Sequence, residues 1–123
     1  MKDGETVAIL GASADPERYA FQAQRLLKEH GHRVVPVSTR EPAIDGDAAV
    51  PDLASIRTPV DTVTVYVRPA ISSTLREQLL ALRPKRVIFN PGTENPELEA
   101  ALRSAGIAAQ DACTLVLLRT GEF

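Results

Sequence analysis

Short apolar runs alternate with amphipathic stretches along this chain. Residues 6–10, 33–37, 62–67, 86–89 and 107–110 are rich in Val, Ile and Ala and largely apolar at consecutive positions. Each run is too short for a stable helix, and continuous rather than alternating apolarity predicts strands buried on both faces. Residues 47–50 predict a further, short edge strand. Between these runs the apolar spacing becomes helical. Ala20, Ala23 and Leu27, flanked by Tyr19 and Leu26, form a stripe over 16–30. Ile71, Leu75, Leu79 and Leu82 do so over 69–82, and Leu98, Ala101, Leu102 and Ala105 over 96–105.

The punctuation agrees with these elements. Asp15-Pro16-Glu17 and Asn95-Pro96-Glu97 each place a capping side chain, a proline at the first helical position and an acid in the first turn. Gly31 and Gly106 stand where a left-handed C-terminal cap belongs, and Pro84 stops the middle helix. Strand–helix–strand units of this length require right-handed parallel crossovers. They predict an α/β, three-layer Rossmann-like fold with a mainly parallel sheet of five to six strands in the order 3-2-1-4-5-6, residues 47–50 being the third strand. Residues 38–59 lack a helical pattern and predict loop, the short strand and at most a turn around 52–56. No linker or repeat divides residues 1–123, so the expectation is one domain.

Composition narrows the partners. A net charge of −2 lacks the basic face that grips nucleic acid, and three Phe, two Tyr and no Trp offer little base-stacking surface. One cysteine, Cys113, excludes an internal disulfide and a multi-cysteine zinc site. No stretch is apolar over membrane-spanning length and the N-terminus lacks a signal-peptide core, so a cytoplasmic protein is expected. The apolar run Leu115-Val116-Leu117-Leu118 completes the core as a strand or short helix, or else pairs two copies as a homodimer.

In an open parallel sheet, ligands bind beyond the carboxyl ends of the strands. The first such end, Leu10-Gly11-Ala12-Ser13, runs into a small-residue loop before a helix, the kind of turn where backbone N–H groups hold phosphates. It departs from the GxGxxG fingerprint, because Ser13 and Pro16 stand where glycines would. The second end reads Ser38-Thr39-Arg40. NAD readers usually carry an acid there, whereas an arginine accommodates a ribose phosphate, so coenzyme A or NADP is favoured over NAD. The remaining ends offer Arg68, then Asn90-Pro91-Gly92, then Asp111 and Cys113. His30 and His32 lie at the amino edge, away from this site, and Asp15 serves as a cap. No metal-ligand spacing or nucleophile elbow stands out, and no catalytic residue is assigned. Cys113 is a candidate for redox or thiol-exchange chemistry only if it is accessible and acidified.

Assembled in order, these pieces resemble the stand-alone CoA-binding domain family, related to the CoA-binding domain of the succinyl-CoA synthetase alpha subunit. The resemblance rests on Val7-Ala8-Ile9-Leu10-Gly11-Ala12-Ser13 with Pro16 and Arg18, and on Gly31-His32-Arg33-Val34-Val35-Pro36-Val37. It continues through Ile44-Asp45-Gly46, Val60-Asp61-Thr62-Val63, Arg86-Val87-Ile88-Phe89-Asn90-Pro91-Gly92, and Ala105-Gly106-Ile107 leading to Asp111 and Cys113. It implies that Gly11, Ala12, Ser13 and Arg18 lie near the CoA phosphates. Val37, Ser38, Thr39 and Arg40 would meet the adenosine end, with Tyr66, Val67 and Arg68 lining the adjoining cleft. Asn90, Pro91 and Gly92 would flank the pantetheine path. Two departures fall at this site: Ser38-Thr39 replaces the family's common Asn-Pro, and Asn90-Pro91 stands where a glutamine or similar group often precedes Gly92.

The expected function is therefore binding of coenzyme A or an acyl-CoA by a non-catalytic binding or regulatory module. The ligase relatives depend on additional domains, one of them carrying a phosphorylated histidine, that this chain does not contain. A small NADP-dependent oxidoreductase and a ligand-free interaction domain are the alternatives.

Overall fold

The computed structural model describes residues 4–123. Five strands form one parallel sheet: β1 (Thr6–Leu10), β2 (Arg33–Val37), β5 (Thr62–Val65), β6 (Arg86–Phe89) and β7 (Ala108–Asp111), in the order β2-β1-β5-β6-β7. The α/β, Rossmann-like architecture expected from the pattern is thus the one observed. Helices α1 (Tyr19–Glu29) and α5 (Thr114–Thr120) cover one face. The other face carries α3 (Arg76–Leu82) and α4 (Pro96–Ser104), with the single-turn α2 (Pro69–Ser72) leading into α3 through a 3-10 turn at Ser73–Leu75. Strand period two divides the core between the faces. Val7 and Ile9 pack with Ala20, Leu27 and Leu118, whereas Ala8 and Leu10 join Val63, Val65, Leu79, Phe89 and Leu102.

The predicted third strand contributes only a single bridge. Asp47–Ala48 (β4) instead folds back on Ala43–Ile44 (β3) as a two-residue antiparallel pair, and only Val50 reaches the sheet, bridging Val37. Its N–H donates to Pro36 O and its carbonyl accepts from Ser38 N. Pro36 explains this economy. It has no N–H to offer outward, so a full ladder along β2 could not form, and the edge is blunted instead.

Other boundaries moved as well: the strand expected over 62–67 ends at Val65, and that over 107–110 runs Ala108–Asp111. The 69–82 helix breaks because Ser72, Ser73 and Thr74 offer the backbone other partners: Thr74 Oγ1 donates to Ile71 O and Ser72 Oγ to Pro69 O. Helix α1 starts at Tyr19 rather than Pro16, with Arg18 as its N-cap. Asp15 does not cap it directly. Its carboxylate accepts from Glu17 N and its carbonyl from Arg18 N, so it closes the turn that precedes the helix. Asn95 does cap α4, accepting from Leu98 N, while its own N–H donates to Glu99. Gly31 and Gly106 take positive φ as expected, and 115–118 is helical.

Candidate nucleotide site at the carboxyl edge

The turn after β1 is shaped by one glycine. Gly11 has φ +88°, and a Cβ there would lie 2.8 Å from Val67 Cγ1 and 3.1 Å from the Tyr66 carbonyl carbon and oxygen. Gly11 is thus required by the packing of β1 against the end of β5, before any ligand is considered. The following N–H is also committed, since Ala12 N donates to Val37 O at 3.1 Å. The Ser13 and Ala14 N–H groups have no partner among the described residues. Ser13 Oγ accepts from Asp15 N, which holds the loop in its turned form.

Beside this turn lies a cavity of about 400 Å³. The turn residues Gly11 and Ala12 form one wall, with Val37 at the end of β2, Ser38, Thr39 and Arg40 beyond it, and Val67 beyond β5. Pro51, Asp52, Leu53, Ile71, Leu75 and Gln78 close the other side. Its floor is apolar through Leu10, Val37, Leu53 and Val67, which suits a planar base. Ser38 Oγ accepts from both Arg40 N and Glu41 N, so the β2 turn is ordered from within. Gln78 Oε1 accepts from Leu53 N, which directs its amide hydrogens elsewhere. The exposed Arg40 guanidinium makes no ion pair among the described residues.

A second cavity of about 340 Å³ opens at the same edge on the α1–α5 face, lined by Tyr19, Tyr66, Asn90, Pro91, Cys113, Leu115 and Arg119. Asn90 sits beneath it with its amide spent internally. Its Nδ2 donates to Thr64 Oγ1 at 2.7 Å and to Val65 O at 2.9 Å, and its Oδ1 accepts from Thr114 N at 2.9 Å. Thr64 and Thr114 share a further hydroxyl bond at 2.8 Å. Asn90 therefore ties the ends of β5 and β6 to the start of α5. The Tyr66 hydroxyl lies buried beside these threonines, and burial pushes it up to about 12 against their lowering influence. On α4, burial raises the Glu99 carboxyl, and Asp111 at the end of β7 raises it further against the lowering pull of the Asn95 N–H.

The structure thus divides the predicted residues between two cavities. Gly11, Ala12, Val37, Ser38, Thr39, Arg40 and Val67 line the first, and Tyr66, Asn90, Pro91 and Cys113 line the second. Ser13, Arg18, Arg68 and Gly92 line neither. Arg18 sits 3.9 Å from Asp15, and Gly92 N donates to Glu94. Sequence reasoning missed Leu53, Leu75 and Gln78, whose helical and loop spacing read as core or connection, and Arg119, just past the apolar run whose conformation was left open. A larger open concavity, about 660 Å³, lies at the opposite edge around Lys28, His32 and Asp61. It faces the amino ends of the strands, and Lys28 there pairs with Asp47 and with Asp45, and Asp61 with Lys85. His32 Nδ1 there accepts from Glu5 N.

The CoA binding domain family matches residues 5–119. This chain belongs to that family. An uncharacterized protein of known structure superimposes with a TM-score of 0.93 at 41% identity, covering 99% of this chain and 100% of its own. A protein from Thermus thermophilus superimposes with a TM-score of 0.90 at 36% identity, covering 98% of this chain and 91% of its own. The uncharacterized protein YneT of Bacillus subtilis (strain 168) is 26% identical over 109 residues, or 86% of this chain and 78% of YneT. Among the described residues no group of His, Cys, Asp and Glu could hold a metal ion, and no helix is long and apolar enough to cross a membrane.

Proposed function

We propose that this CoA-binding domain holds coenzyme A or an acyl-CoA as a binding or regulatory module and does not itself transform it. The adenosine end occupies the first cavity, with the ribose phosphate against Arg40. The diphosphate crosses the Gly11–Ser13 turn, where the Ser13 and Ala14 N–H groups are free to donate. The pantetheine arm then runs past Val67 toward Pro91 and Gly92. The observation that carries this reading is the unpaired Arg40 guanidinium on the rim of an apolar cavity beside that turn. A holding role is supported by the placement of both histidines away from the turn, one exposed and the other bonded to Glu5 at the amino edge.

Isothermal calorimetry with coenzyme A, dephospho-coenzyme A, NADPH and ATP tests the assignment. Coenzyme A binds, and at a hundred times its dissociation constant it stabilises the fold by about 2.7 kcal/mol. Arg40→Ala weakens coenzyme A about fivefold and leaves dephospho-coenzyme A unchanged, because an exposed guanidinium–phosphate contact contributes about 1 kcal/mol. Tight NADPH binding without coenzyme A binding would reverse the assignment toward an oxidoreductase.

A further inference from the structure

The second cavity carries chemistry that the adenosine and phosphate contacts leave unused. We infer that it receives the acyl end of a coenzyme A thioester and that Arg119 selects acyl groups ending in a carboxylate. This rests on the coenzyme A reading and extends it to the identity of the acyl group.

Three observations converge. The walls formed by Tyr19, Pro91 and Leu115 and the ring of Tyr66 are predominantly apolar, and the volume of about 340 Å³ leaves room for an acyl chain. The polar groups beneath them are withdrawn: Asn90 has both amide hydrogens and its oxygen engaged in the core, and the Tyr66 hydroxyl is buried beside Thr64 and Thr114. The cation at the rim is unspent. Arg119 is exposed on α5, and among the described residues no carboxylate lies in ion-pair range of it. An apolar chamber with one uncommitted guanidinium at its mouth is complementary to an aliphatic chain that ends in an anion.

The two cavities are also within reach of one extended ligand. Consecutive residues line them, Val67 the first and Tyr66 the second. From the end of β2, where Arg40 stands, to the end of β6, where Pro91 stands, is three strand spacings, roughly 14 Å at ~4.8 Å each. A pantetheine arm laid along the carboxyl edge spans that distance and delivers its sulfur beside Pro91. Cys113, the chain's one cysteine, lines the same chamber and reports its occupancy.

The test compares three stable thioethers, S-methyl, S-butyl and S-carboxypropyl coenzyme A, by calorimetry and by the rate at which a maleimide alkylates Cys113. S-carboxypropyl coenzyme A binds about fivefold more tightly than S-butyl coenzyme A, the scale of a solvent-exposed ion pair, and slows alkylation. In Arg119→Gln the two bind equally, while affinity for S-methyl coenzyme A is unchanged. Equal binding of the two by the natural chain, a preference that survives Arg119→Gln, or undiminished alkylation of Cys113 overturns the inference with S-methyl binding intact. Failure of S-methyl coenzyme A to bind overturns the coenzyme A reading itself, and this inference with it.

Discussion

Gly11 shows how one residue serves two demands that sequence inspection merges. A lone glycine after an apolar strand suggests a phosphate turn, yet its immediate cause is steric: the backbone at Tyr66 and the Val67 side chain come too close for a Cβ. A positive φ compounds this, since an L side chain there is strained in any case. Gly11→Ala therefore lowers the unfolding free energy by about 1–3 kcal/mol without any ligand present, measured by urea denaturation. Arg40 and Arg119 behave oppositely. Both are exposed and unpaired, so their removal leaves stability nearly unchanged and registers in ligand binding instead.

At the scale of elements, the carboxyl edge is held together by a buried polar knot rather than by apolar packing alone. Asn90 follows β6, Thr64 lies in β5 and Thr114 opens α5, and their mutual hydrogen bonds fix where the helix leaves the sheet. That exit sets the wall of the second cavity, because Leu115 and Arg119 are carried on α5. Asn90→Ala strips partners from Thr64 and from the Thr114 N–H in a site that is only 3% exposed. A loss of about 3 kcal/mol is expected in chemical denaturation, since buried polar groups left unsatisfied are costly. Helix α4 is anchored by the same means, Asn95 donating to Ser72 and Ser73 across to α2 and its 3-10 continuation.

Across the whole molecule the two edges of the sheet have divided labour. The amino edge is stitched by charge: Arg86 donates to Thr62, to Glu5 and to the Phe123 carbonyl while stacking over the Phe123 ring. Asp61 joins three strands there. Its carboxylate accepts from Thr6 N at 2.8 Å, its carbonyl from Lys85 N and Arg86 N, and the Lys85 ammonium stands 3.3 Å away. The Thr6 N–H, with help from Lys85, holds the Asp61 carboxyl below its ordinary value near 3.8. A depressed carboxylate contributes stability that is complete above the unfolded-state value and is lost as pH falls through the lower folded one. Asp61→Asn thus costs about 1 kcal/mol at neutral pH, discounted because a third of the side chain meets solvent. The gap from the natural chain narrows as the pH drops below about 4 in urea titrations at a series of pH values. The carboxyl edge is the reverse, with Arg40, Arg68 and Arg119 left without carboxylate partners among the described residues.

The apolar runs, prolines and cap residues determined the order of elements and the parallel sheet, because these follow from local periodicity and from chain direction in a parallel sheet. Gly11, Val37 and Arg40 were legible for the same reason: Val37 ends a strand, and the other two stand just past one. Tertiary structure alone decided the rest. Whether residues 47–50 join the sheet depended on the hydrogen-bonding edge that β2 presents, and Pro36 removed its outward donor. The break at 72–75 combined local bonds from Ser72 and Thr74 with contacts to Ser72 and Ser73 from Asn95, which lies far along the chain. Most of all, the division of one predicted site into two cavities required knowing that Asn90 turns inward and that α5 brings Arg119 to the rim. Such facts arise from side chains meeting across tens of residues, and no local pattern encodes them.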